Sequence, residues 1–235
     1  MKFLSTFFAL SLLGATAIAA TISPASDLDL TIRYYSKVLT PEGVTREARY
    51  EEKMVRRTGH VWVARVLPKT ANEQHEDIKK QVSLTIKEPE HAHFNHVVLP
   101  RHIMLENNKL RVEYIDAHAK NVVAIPASEY TNVNFDGSWE NSFYLLDPKL
   151  VKAMPLSSKT SNVSGAQWHE REKNGVFQRV LWDAQKQIPL IIESGDKAAT
   201  FYQRVDVTPQ AGISLALPWK KMSGYAQKEY ADFLD

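Results

Sequence analysis

The chain has 235 residues, a net charge of +2 at pH 7 and no cysteine. A charge this close to neutral argues against a nucleic-acid-binding protein, which carries a clear basic excess or a clustered basic face. The lack of cysteine excludes disulfides, thiolate metal clusters, thiol catalysis and lipid attachment through a thiol.

The first predicted element is a secretory signal peptide over residues 1–19. Lys2 supplies a positive charge, residues 3–13 form an apolar run, and Ala17-Ile-Ala19 has the small-x-small pattern of a cleavage site. A helix needs about 20 apolar residues to cross a bilayer, and this run is shorter. We therefore expect a periplasmic protein with no transmembrane segment after cleavage and a single β-rich domain over residues 20–235.

Alternating hydrophobicity predicts strands in the first half of this domain. Apolar residues occupy every second position from Leu28 to Tyr34, which is typical of a strand with one buried face. A polar strand over 44–56 follows, and we interpret its Arg56-Arg57 end as solvent-exposed. Residues 70–83 are predicted to form a loop with a short helix. Further strands are predicted over 60–67, 103–105, 110–115 and 122–125.

In the second half, Asp147 and Pro148 predict the N-cap and first residue of a short helix over 147–154. An antiparallel meander is predicted next, because its four strand segments are separated by short turns. An amphipathic helix is predicted over 225–234. The predicted fold class is mainly β (α+β), an incomplete antiparallel β-barrel or strongly curved sheet with a few short helices. The meander segments are 167–172, 176–182, 188–193 and 199–207.

The meander also resembles a known group of proteins. Leu181-Trp-Asp183, a short turn, Ile188-Pro-Leu-Ile-Ile192 and the Gly195-Asp196 turn are similar to a pattern of the periplasmic lipoprotein carriers and of the related sensor domains of envelope-stress regulators. Leu110–Asp116 followed by Val122–Ile125 resembles a hairpin of the same group. The resemblance implies a half-open barrel whose apolar concave face binds acyl chains in the carriers and lipid or peptide signals in the sensors.

Histidines are concentrated in the middle of the chain, at positions 91, 93, 96 and 102. On a strand, His91 and His93 lie on one face about 6–7 Å apart, a spacing at which two imidazoles can share a metal ion. His96 or His102 would add a third ligand, and copper or zinc accepts such a set. The alternative is a polar loop, flanked by prolines, in which the histidines bind nothing.

Three tryptophans are candidates for ligand contact: Trp62, Trp139 and Trp182. An indole on a concave sheet offers a large apolar surface with one polar atom. The alternative for each is a place in the core. We do not expect an enzyme, because the chain lacks the nucleophile-elbow, metalloprotease and phosphate-loop motifs.

Together these features predict a soluble periplasmic binding, carrier or sensor protein without an obligatory cofactor. Its ligand would be a hydrophobic or lipid-like small molecule held on the concave sheet. Two alternatives remain open: a histidine-based copper- or zinc-binding protein, and a non-catalytic accessory subunit that offers a sheet edge or face to an envelope protein.

Overall fold

The computed structural model of the protein describes residues 26–68 and 94–233. In these ranges eleven strands form one curved sheet that does not close on itself. The predicted mainly β fold with a few short helices is confirmed. The strands are β1 (Leu28–Leu39), β2 (Thr45–Arg57), β3 (His60–Arg65), β4 (Arg101–Glu106), β5 (Lys109–Asp116), β6 (Asn121–Ile125), β7 (Ala166–Lys173), β8 (Val176–Asp183), β9 (Ile188–Asp196), β10 (Phe201–Pro209) and β11 (Ala226–Glu229).

The strand order is β11-β6-β5-β4-β3-β2-β1-β10-β9-β8-β7. Strands β1 to β6 form a first meander, in which each strand pairs antiparallel with the next one in the chain. Strands β7 to β10 form a second meander, which is the one predicted from the sequence. Strand β1 joins the two meanders, because it bonds β2 on one side and β10 on the other. The sheet is therefore continuous, although the two meanders are far apart in sequence.

Short helices lie between β6 and β7. Ala127–Val133 is a 3-10 helix, α1 spans Trp139–Tyr144 and α2 spans Pro148–Lys152. The predicted helix is confirmed as α2, whose N-cap Asp147 accepts a hydrogen bond from the Lys149 amide at 2.8 Å. The capping carboxylate and Pro148 define the start of α2, as their order in the sequence indicates.

The two faces of the sheet differ, because successive strand residues point to opposite faces. We call the face with Leu30, Ile32 and Ile103 the inner face; it carries the largest buried cluster and packs against Phe143 of α1. We call the face with Trp62 and His102 the outer face. A smaller cluster around Trp62 there is covered by the segment that contains the 3-10 helix Pro218–Met222.

The predicted helix over 225–234 is wrong. Ala226–Glu229 forms β11, which pairs with β6 in parallel, and Tyr230–Phe233 is a 3-10 helix. A ten-residue helix is marginal in water, whereas the edge of a sheet offers unpaired backbone groups that a strand satisfies. Tyr230, only 8 % exposed, anchors the end of this segment in the core of the inner face.

The interpretation of Arg56-Arg57 as a solvated strand end is also wrong. Arg56 is 0 % exposed and Arg57 8 % exposed. Arg57 forms a 2.7 Å ion pair with Asp29. The Arg56 guanidinium donates hydrogen bonds of 2.8–3.2 Å to backbone carbonyls of three distant segments, at Ser26, Phe143 and Lys186. Residue type alone does not reveal this burial, because the acceptors converge only in the folded chain.

Several sequence-based predictions lie outside the described residues: the signal peptide over 1–19, the loop over 70–83, and His91 and His93. In the part of the chain that the structure describes, no helix has the length and apolar character needed to span a membrane.

Candidate functional site

A cavity of about 270 Å³ lies between the inner face and the segment that carries α1. The sheet contributes apolar side chains, Ile32, Val63 and Ile103, and the helical segment contributes Phe135 and Leu145. Polar side chains complete the wall: Tyr34, Glu52, Arg101, Asn134, Asp136, Asn141 and Ser142. The site is therefore amphipathic, with an apolar sheet surface surrounded by hydrogen-bonding groups.

Glu52 places a carboxylate in this cavity. It lies on β2 opposite Ile32 of β1, and the period of two gives it the same face as Met54 and Tyr50. The pKa of Tyr34 is raised mainly by burial and, to a lesser degree, by the adjacent Glu52 carboxylate. The Tyr34 hydroxyl therefore keeps its proton at pH 7 and is available as a donor to the carboxylate.

Arg101 adds a positive charge to the same cavity. It lies on β4 opposite Val63, and its guanidinium carbon is 5.8 Å from the centre of the Phe135 ring. Burial raises the pKa of Tyr114, and the nearby Arg101 charge opposes that rise. In the described ranges, neither Glu52 nor Arg101 takes part in an ion pair. Both charges are thus available to a polar group that enters the cavity.

A second cleft lies on the outer face, between the sheet and the Pro218–Met222 helix. His60 Nδ1 and His102 Nε2 are 3.1 Å apart. The two imidazole rings lie nearly parallel to the indole of Trp219, with ring centres 5.0 and 5.1 Å away. We call this set of three rings with its lining residues the outer cleft.

Burial is the main cause that lowers the pKa of His102 to about 4, and the charge of His60 adds to it. The imidazole of His102 is therefore neutral at pH 7. Behind it, Glu113 accepts a 2.6 Å hydrogen bond from Arg111. Burial raises the pKa of Glu113, and Arg111 opposes that rise.

The three tryptophans of the sequence-based prediction do not form one surface. Trp62 lies on the outer face, at 9 % exposure, against Ile115 and Val122. Trp139 packs on Phe143 beside the inner core, and Trp182 packs in a separate cluster around α2. None of the three lines the inner cavity. Their contact with a ligand stays a prediction that this geometry does not support.

The predicted histidine set is divided by the sheet. His96 lies 6.5 Å from the ring of Tyr114, whose side chain is on the inner face, and 3.2 Å from the Asn134 amide. His102 points to the outer face and meets His60 instead. These two histidines therefore cannot bind one metal ion together. In the described ranges no three His, Cys, Asp or Glu residues come together in a geometry that could hold a metal.

Sequence reasoning missed Glu52, Arg101 and His60 as site residues. A charged residue that alternates with Met54 on a strand is a weak signal of a polar position on a buried face, and Glu52 gives that signal. No local pattern reports the pairing of β3 with β4, since residues 66–100 separate these strands. That pairing brings His60 to His102.

No family model and no curated protein matches this sequence. Solved structures with a similar chain path include PNGF-II, at 10 % identity and a TM-score of 0.35, covering 88 % of this chain and 32 % of the other. A LolA superfamily protein from Nitrosomonas europaea matches at 7 % identity and a TM-score of 0.35. The match covers 85 % of this chain and 91 % of the other. A domain from Vibrio parahaemolyticus, whose name refers to outer membrane lipoprotein sorting, matches at 9 % identity and a TM-score of 0.28. The match covers 83 % of this chain and 89 % of the other.

The chain thus spans about a third of the length of PNGF-II. Structures named for the group that the meander resembles are among the matches. All three identities are 10 % or lower and all three TM-scores are 0.35 or lower. The likeness is therefore one of outline, and the function proposed below rests on this chain's own residues.

Proposed function

We propose that this protein is a single-domain periplasmic binding protein, and that its site is the inner cavity. The ligand is a small amphipathic molecule whose apolar part lies on Val63 and Leu145, the partly buried apolar side chains of the cavity wall. Its polar part meets Glu52 and Arg101. The observation that carries the proposal is the combination of an apolar sheet surface with two charged side chains that lack an ion-pair partner among the described residues.

The size of the cavity limits what can enter. Its volume of about 270 Å³ is just under the about 300–1,000 Å³ of typical small-molecule sites. A long acyl chain does not fit inside completely. The cavity suits a short apolar group, or one end of a longer chain whose remainder extends along the sheet. Affinity would come from apolar burial at roughly 25 cal/mol per Å².

The polar residues favour a ligand with a head group over a hydrocarbon. Covering Glu52 and Arg101 with a purely apolar ligand would remove water from both charges and leave the Tyr34 and Tyr114 hydroxyls to replace it, which is costly. A head group that accepts from Arg101, or donates to Glu52, avoids this cost. The ligand class that fits best is therefore a lipid-like molecule with a polar end.

The proposal is tested by blocking the cavity. Ser142 lines it from α1, and Glu140 lies on the same helix but is exposed. We expect Ser142→Phe to weaken binding of the fluorescent probe 1-N-phenylnaphthylamine at least tenfold, and Glu140→Phe to leave it unchanged. Dodecanoate should displace the probe, and Arg101→Met should weaken this competition because the carboxylate loses its partner.

Equal probe affinity in the Ser142→Phe variant and the wild type would place the binding elsewhere and contradict the proposal. Native mass spectrometry of the purified protein provides an independent reading, since a retained lipid adds a defined mass. The proposed export is tested separately by sequencing the N-terminus of the mature protein, which should begin at Ala20.

A further inference from the structure

Strand β2 has a free backbone edge over its first half. Strand β3 pairs with β2 only from Glu52 onward, and one further hydrogen bond runs from the Val66 amide to the Glu51 carbonyl at 2.8 Å. Among the described residues, no strand pairs with residues 45–50 on this side. Residues 45–49 are all exposed. The edge therefore offers unpaired backbone groups to another strand.

The Glu51 carbonyl identifies the residues whose backbone groups face this edge. It points away from β1, and every second residue of a strand directs its N–H and C=O groups to the same side. The backbone groups of Glu47 and Arg49 therefore face the free edge. Ala48 lies between them, opposite Ser36, and directs its backbone groups toward β1. An added strand would thus form its hydrogen bonds with Glu47 and Arg49.

We propose that this edge joins two copies of the chain, whose β2 strands pair antiparallel about a two-fold axis at Ala48. In this register Ala48 is opposite Ala48 of the second copy, and Glu47 is opposite Arg49 of the second copy on both sides of the axis. Each Glu47–Arg49 pair exchanges both of its backbone hydrogen bonds. The pair at the axis is not hydrogen-bonded, so the strands approach most closely there, and alanine is small enough for that approach. The two sheets become one, with both inner faces on the same side.

The charges along the edge select this register. Opposite charges directly across an antiparallel pair stabilise it, and like charges destabilise it. Moving the axis by one residue would place Glu47 opposite Glu47, or Arg49 opposite Arg49, of the second copy. Within one chain these two side chains form a 3.3 Å ion pair and are both largely exposed. They can therefore exchange partners between copies without losing much water.

Exposed apolar residues lie at the two ends of the free edge. Val44 immediately precedes β2 and is 54 % exposed, and Val66 immediately follows β3 and is 45 % exposed. Pairing about Ala48 brings Val44 of each copy toward Val66 of the other, which removes apolar surface from water. The paired edge is short compared with standard interfaces, which bury about 1,200–2,000 Å². The dimer is therefore weak and reversible.

Because the chain has no cysteine, a single introduced thiol can trap this dimer. Across a pair that is not hydrogen-bonded, the Cα atoms are about 4.5 Å apart, within the about 4.4–6.8 Å that a disulfide spans. With oxidised glutathione, we expect Ala48→Cys to form a disulfide-linked dimer at least tenfold faster than Thr45→Cys. Thr45 is the matched control, because it is exposed on the same strand but lies about 20 Å from Thr45 of the second copy. Equal rates at the two positions, or no dimer of Ala48→Cys, would overturn the proposal.

The charge pairing is tested in the Ala48→Cys protein. Adding Glu47→Arg places an arginine opposite Arg49 of the second copy and should slow disulfide formation at least fivefold. Adding Arg49→Glu as well makes the opposing charges complementary again and should restore the rate. A rate that Glu47→Arg leaves unchanged, or that the double exchange does not restore, would contradict this register. Neither Glu47 nor Arg49 lines the inner cavity, so probe binding there reports separately on the proposed function.

Discussion

Replacing the buried Arg56 gives a direct measure of how the fold holds its distant segments together. The guanidinium is 0 % exposed, and burial lowers its pKa to about 10, so it stays charged at pH 7. Its acceptors are backbone carbonyls near the start of β1, at the end of α1 and in the β8–β9 turn. We choose Arg56→Met because methionine keeps much of the apolar stem and removes all of the donors.

The magnitude follows from what happens to each carbonyl. The Phe143 carbonyl is bonded in a fully buried environment, whereas the bonds to Ser26 and Lys186 are only partly buried. Water can replace the guanidinium at the two partly buried carbonyls, so most of the cost lies at Phe143. An unsatisfied buried group costs about 1–3 kcal/mol. With some loss at the other two, we expect Arg56→Met to lower the free energy of unfolding by about 3 kcal/mol.

Urea denaturation followed by circular dichroism measures this loss. The control is Arg46→Met on the same strand, where the side chain is exposed and the expected change is within about 0.5 kcal/mol. Arg56→Lys should fall between them, since an ammonium group cannot reproduce the fork of donors. A loss below about 1 kcal/mol in Arg56→Met would mean that desolvation of the guanidinium cancels its hydrogen bonds, and would refute the reasoning.

Three further predictions concern the core, a cap and the pH dependence of stability. Ile103→Ala removes a side chain with 0 % exposure and should cost about 2–5 kcal/mol; a smaller loss in urea denaturation would contradict its core position. Asp147→Ala removes the cap of α2 and should lower the free energy of unfolding by about 1 kcal/mol in the same measurement. Asp147→Asn is the control and should lose less, because asparagine also caps helices. Hydrogen bonds from Arg179 lower the pKa of Glu170 in the folded protein. The stabilisation from ionised Glu170 is therefore present above the pKa of an unfolded glutamate and is lost as the pH falls through the lower pKa of the folded state. Glu170→Gln should therefore flatten the stability curve below about pH 4.3, and parallel curves would argue against the pairing.

Local patterns predicted much of the strand content. The meander was predictable because each of its strands has its own alternation and each connection is a short turn. The α2 helix was predictable because Asp147 and Pro148 are adjacent start signals. By contrast, β11 was not predictable from residues 225–234, since its strand conformation depends on bonding to β6.

The candidate sites were less predictable than the fold. Glu52, Arg101 and Tyr34 meet in the inner cavity from three different strands. His60 and His102 are 42 residues apart in sequence. Side chains of this kind come together through strand register, and register depends on long-range pairing that single-residue hydropathy does not describe.

The sequence by itself determined the near-neutral net charge, the absence of thiol chemistry and the positions of most strands, because these depend on composition and on periods of two. The tertiary structure decided which face each strand presents and which residues share a site. It divided His96 from His102, buried Arg56 among carbonyls and placed the three tryptophans apart. The physical reason is that a sheet separates neighbours in sequence onto opposite faces while its pairing joins residues from distant strands.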